Sequence, residues 1–117
     1  MAETTWGDWR LEYKPASVSE CQWTRDRQGN LIGRVCWNQA DGLVALLHEY
    51  GHWLVGFSFF GHGGTELPAW RAAVAVFGPA VFAAELPRIS AALYSYLAQG
   101  WLDVGEVNEF LDALAAS

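Results

Sequence analysis

Hydrophobic and polar positions change rhythm at about residue 40, alternating before it and taking helical spacing after it. Trp9-Arg10-Leu11-Glu12-Tyr13-Lys14 alternates apolar and charged residues, the period-two pattern of a half-buried strand, and Pro15 ends it. Cys21-Gln22-Trp23-Thr24-Arg25 and Leu31-Ile32-Gly33-Arg34-Val35-Cys36-Trp37 flank Asp26-Arg27-Gln28-Gly29-Asn30, where Gly29 is placed for the positive φ of a tight turn. The two runs predict a β-hairpin. With a three-residue loop, Arg27 to Gly29, Cys21 faces Val35, and Trp23, Val35 and Trp37 share a face while Cys36 points the other way. With a two-residue loop at Gln28-Gly29, Cys21 faces Cys36, the one register that permits a cross-strand disulfide. Gathering the large apolar residues on one side favours the first register.

From Asp41 the alternation stops. Gly42 to Val55 reads as a helix that is apolar almost all round, hence central, with Asp41 available as its N-cap. Gly56 to Thr65 reads as a glycine-rich loop. A second helix starts near Thr65 or Glu66, tolerates Pro68 in its first turn, and runs through Trp70, Ala73, Val74 and Phe77 to Gly78-Pro79, which should kink or end it. Pro87 opens a helix to Ala98 closed by Gly100. Asp103 with Glu106 resembles a capping box for a last helix bearing Val104, Val107, Phe110, Leu111 and Leu114. Its acids, Glu106, Glu109 and Asp112, read as a solvated face. The sum is one α+β domain over residues 1–117: a short antiparallel sheet with a hairpin in 1–40, then four helices in 41–117.

Composition narrows the function classes. The 117 residues hold 7 Lys+Arg against 13 Asp+Glu, and the single lysine is Lys14, so the clustered cations that neutralise nucleic-acid phosphates are missing. Residues 1–40 are balanced in charge, and the net charge of -6 arises after them. Met1 to Trp9 carries two acids and no apolar run, which reads as neither a signal nor a transit peptide and gives a cytoplasmic expectation. Cys21 and Cys36 are then expected as thiols. The seven tryptophans read first as core and cleft walls, with Trp37 and Trp53, flanking the central helix, the candidates for a cleft.

The chemistry lies in His48-Glu49-Tyr50-Gly51-His52, an H-E-x-x-H sequence. On a helix its histidines stand one turn apart and project from one face, a spacing that grips a metal ion, while Glu49 can reach a water molecule beside it. Burying three such groups in the most apolar helix of the chain is costly without partners, and a dication partners all of them. A third ligand is needed. Glu66, fourteen residues past His52 at the start of the next helix, is the stronger candidate, because Ala69 and Ala73 let that helix approach closely. His62, in the glycine-rich loop, is a second, as ligand or as a substrate-binding polar group, and Glu85 a distant third. Two imidazoles and a carboxylate suit zinc.

His48-Glu49-Tyr50-Gly51-His52 followed by Glu66-Leu67-Pro68-Ala69-Trp70 resembles the gluzincin-type zinc metallopeptidases, especially the minigluzincins and the ImmA/IrrE-like proteins. The similarity covers residues 31–84. It implies a zincin-like domain in which His48, His52 and Glu66 hold zinc and Glu49 is the general base. It also implies Leu31 to Trp37 as a substrate-side edge strand and a protein or peptide as substrate, typically a regulator. Tyr50 stands where such proteins often have Leu. Their transition-state donor is often Tyr, His or Arg. No motif fixes it in this chain, where His62, Tyr94, Tyr96 and Arg71 are candidates, His62 and Tyr94 foremost. A non-catalytic zinc-stabilised interaction module is the alternative. A membrane-embedded protease is disfavoured, because Leu43 to Phe60 is short for a span of about 20 apolar residues and mean hydropathy is only +0.08. The sequence carries no signal for oligomeric state.

Overall fold

The computed structural model describes residues 10–56 and 66–117. Three strands, β1 (Arg10–Pro15), β2 (Glu20–Arg25) and β3 (Leu31–Trp37), precede a 3₁₀ turn (Gln39–Asp41) and the helices α1 (Leu43–Val55) and α2 (Glu66–Phe77). A five-residue helix, α3 (Pro79–Ala83), then leads into α4 (Leu86–Ala98) and α5 (Val104–Ala115). The α+β class is as the sequence reads, and the Gly78-Pro79 pair does end α2, with Pro79 opening α3. No described helix is long and apolar enough to cross a membrane.

β2 and β3 form the hairpin in the three-residue-loop register. Cys21 lies opposite Val35, and the Asp26 amide donates to the Asn30 carbonyl across a loop in which Gly29 has φ +85°. Both cysteines are free thiols. The Asp26 carboxylate fastens the turn by accepting from the Gln28 and Asn30 amides, and these bonds hold its pKa below the usual carboxylate value.

The sheet is mixed, not antiparallel. Its order is β1-β3-β2, with β1 parallel to β3, so the segment from Ala16 to Ser19 carries the chain across the end of β3. The Ala16 amide donates to the Trp37 carbonyl there. Alternation specifies which face a residue occupies and not which strand lies beside it, so the parallel pairing was not readable. β1 is also exposed along its whole length, where alternation predicts a half-buried strand. The cause is placement: α1 lies over β3 and β2, leaving Leu11 and Tyr13 uncovered although they share the inner face with Gly33 and Val35.

Asp41 does not cap α1. Asn38 caps the 3₁₀ turn through its side chain, and the chain then enters α1 through Gly42 at φ +87°, a conformation costly for a residue with a Cβ. Asp41 is occupied elsewhere, its carboxylate accepting from Ser19 Oγ at 2.7 Å and its carbonyl from Arg88 Nη1 at 2.6 Å. By contrast Asp103 caps α5 as its sequence indicates, accepting from the Glu106 amide at 3.0 Å. The apolar core gathers Phe82, Ile89, Leu93, Val107, Phe110 and Leu114 from α3, α4 and α5 against Leu67, Trp70 and Ala73 of α2 and Val44 of α1. Glu106, Glu109 and Asp112 are exposed on the far side of α5.

Candidate metal centre

Among the described helices, α1 and α2 share the most extensive contact, and Gly51 lets them approach closely. A Cβ there would overlap the Ala69 carbonyl oxygen and press on the Ala73 methyl, so glycine on one helix and alanines on the other let the backbones meet. That approach carries Glu66, wholly buried at the start of α2, onto the histidine face of α1.

Four ionisable side chains converge. Glu66 Oε1 lies 2.8 Å from His48 Nε2, and Glu66 Oε2 lies 3.1 Å from His52 Nε2. Glu49 Oε2 is 3.4 Å from His48 Nδ1. The two imidazole centroids are 4.7 Å apart, and donor atoms of His48, Glu49 and His52 lie within 4.8 Å of one another. One face of His48 stacks on the Trp70 indole at 3.9 Å, nearly parallel, which fixes the ring plane.

Partnering is incomplete for a purely structural cluster. Among the described residues, neither His48 Nε2, despite its closeness to Glu66, nor the buried Glu49 Oε1 makes a hydrogen bond. Burial disfavours an imidazolium at His48, but the carboxylates of Glu49 and Glu66 outweigh it and raise the pKa to about 9. Ligands of one tetrahedral zinc ion with bonds near 2.0 Å stand about 3.3 Å apart. The 2.8 and 3.1 Å separations between Glu66 and the histidines are close to that value. The donor set, its burial and its open valences fit a divalent cation.

The other site candidates fall in different places. Tyr94 turns to α5, its hydroxyl donating to Asn108 Oδ1 at 2.5 Å. Arg71 lies over the Phe110 ring, and Glu85 is a surface residue 3.8 Å from Arg88. His62 lies outside the described residues. Tyr96, two positions past Tyr94 and so on the opposite side of α4, is the tyrosine whose acidity responds to the cluster. Burial, then the charges of Glu66 and Glu49, push its pKa up to about 12, and its ring stacks on Trp101. Ile89, Leu93 and Tyr96 share helical spacing, the signal by which Tyr96 could have been preferred to Tyr94.

Leu31 to Trp37 is not an edge strand. β3 is paired on both sides, so its backbone groups are spent, and the edge beside α1 is β2. Cys21 on β2 feels Glu49: burial first, and then that carboxylate, raise its thiol to about 12. Trp37 and Trp53 are fasteners, their indole N–H groups donating to the carbonyls of Gly42 and Arg10. Sequence reasoning did not single out Trp70 for its stacking on His48, because an indole at helical spacing reads as core.

No protein-family model, no curated protein and no solved structure matches the chain. The likeness to gluzincins therefore rests on the residues themselves, a buried His48-Glu49-His52 group on one helix and Glu66 on the next, which together form a candidate metal site of the H-E-x-x-H type.

Proposed function

We propose that this chain is a zinc-dependent metallopeptidase acting on a protein or peptide. The observation that carries the reading is the convergence of His48, His52 and Glu66 from two helices with Glu49 alongside, all buried in a molecule that has an apolar core elsewhere. His48, His52 and Glu66 would hold the zinc. When bound, zinc supplies a Lewis acid and lowers the pKa of water toward about 7.

The remaining work belongs to the chain. Glu49 stands against His48 with Oε1 uncommitted among the described residues, suited to take a proton from the attacking water and deliver it to the leaving amine. Trp70 holds the His48 ring in one plane. Tyr96 is the hydroxyl donor beside the cluster, suited to the oxyanion that develops on the substrate carbonyl. β2, as the edge strand over α1, supplies free backbone groups along which an extended substrate can lie.

The test is Glu49→Gln against wild type, both loaded with zinc and incubated with a peptide library read by mass spectrometry. Cleavage should fall by about 10² to 10⁴-fold while zinc content is unchanged. Loss of zinc together with cleavage contradicts the role given to Glu49. Absence of cleavage by the zinc-loaded wild type contradicts the peptidase reading and leaves an interaction module stabilised by metal.

A further inference from the structure

Beside His48 the structure opens into a cavity of about 280 Å³ between the N-terminal turns of α1, the start of α2 and α4. Val44, Ala45, Ile89 and Ala92 make its walls aliphatic. Two donors line the same space. Trp70 is only 4% exposed, yet its indole N–H has no hydrogen-bond partner among the described residues, which is rare for a buried donor and leaves it open to an acceptor supplied by a ligand. Arg88 stands at the rim. Its Nη1 donates to the Asp41 carbonyl at 2.6 Å, and its nearest described carboxylate, Glu85, is 3.8 Å away, so most of its five N–H groups remain open among the described residues. Gly42 keeps the guanidinium seated, since a Cβ there would lie 2.9 Å from Nη1. The acid that lines the cavity, Asp41, is engaged by Ser19 Oγ.

From this arrangement we propose that the cavity binds the carboxyl-terminal residue of a peptide, with an aliphatic side chain against Val44 and Ile89 and the α-carboxylate on Arg88 and the Trp70 N–H. A guanidinium and an indole N–H are both pure donors, so together they select an acceptor that carries charge. The aliphatic walls discriminate between sources of that charge. A leucine-like chain end presents a branched apolar group and a carboxylate side by side, whereas a glutamate side chain brings only two methylenes to a space of this size. As a statement about substrate class the proposal rests on the metallopeptidase reading, because His48 forms one wall. As a statement about binding it does not.

The experiment is a titration of the full-length, metal-stripped protein with N-acetyl-L-leucine, N-acetyl-L-leucinamide and N-acetyl-L-glutamic acid α-amide, followed by NMR of indole N–H resonances. Trp70→Phe, which keeps the ring on His48, assigns the Trp70 signal. Saturable movement of that signal with N-acetyl-L-leucine is expected, the amide binding at least about tenfold more weakly and the preference vanishing in Arg88→Ala. Equal binding of acid and amide, tighter binding of the glutamate derivative, or no saturable shift overturns the proposal. Because zinc is absent, a carboxylate cannot register by ligating it. Zinc titration of the same preparation reports separately on the metallopeptidase reading.

Discussion

The core cluster of Phe82, Ile89, Leu93, Val107, Phe110 and Leu114 and the group of His48, Glu49, His52 and Glu66 are shielded from solvent alike, none of these residues exceeding 6% exposure. Their chemistry is opposite. Each apolar side chain of the first stabilises the fold by about 1.5–3 kcal/mol on burial. The second brings ionisable groups into the same dryness, and such burial is costly unless opposite charge compensates it. A chain able to build the first cluster had no structural need of the second. The polar group is therefore the part of the interior to be explained by function.

Mutations can separate the two. Phe82→Ala should cost about 3–5 kcal/mol in chemical denaturation, since Phe82 is fully buried, while the folded fraction still takes up zinc with wild-type stoichiometry. A zinc affinity that falls with it would mean that the two regions are one cooperative unit. Gly51→Ala is the converse probe. The new methyl must displace Ala69, so about 1–3 kcal/mol of stability is lost and zinc affinity falls as well, because Glu66 is carried away from the histidines.

Acidity gives a smaller, signed effect. In metal-free protein the His48 pKa is raised to about 9 from its ordinary 6.5. Its contribution to stability is therefore complete below pH 6.5 and lost as pH rises through about 9. Zinc requires the neutral imidazole, so zinc-loaded protein should not show that fall. Thermal melts of stripped and loaded protein across this range test the difference. Smallest of all, Asp103→Ala should remove about 1 kcal/mol through loss of the α5 cap and leave zinc binding untouched.

What could be read in the sequence was whatever depends on local spacing. Gly29 and the apolar sets around it specified the hairpin register, Asp103 with Glu106 specified a helix start, and His48, His52 and Glu66 specified a cluster once the helices were drawn. What depends on neighbours was hidden. The parallel seat of β1 beside β3, the exposure of Leu11 and Tyr13 and the loss of Leu31 to Trp37 as an edge all follow from one long-range pairing. The entry to α1 was misread for a different reason. Asp41 has the chemistry of a cap, but Asn38 had already started a 3₁₀ turn, and only the positive φ of Gly42 could redirect the chain. Tyr96 and Arg88 acquire their meaning from the packing of α4 alone.

The central claim is that the buried polar group exists to hold a metal ion. Calorimetric titration of zinc into stripped wild type, His52→Ala and Glu66→Ala tests it most directly. The account predicts one zinc per wild-type chain and, in both variants, a loss of affinity well beyond the roughly 10–100-fold that removing an outer-shell partner costs. Wild-type protein that binds no zinc, or a Glu66→Ala variant that binds it as tightly as wild type, would contradict it.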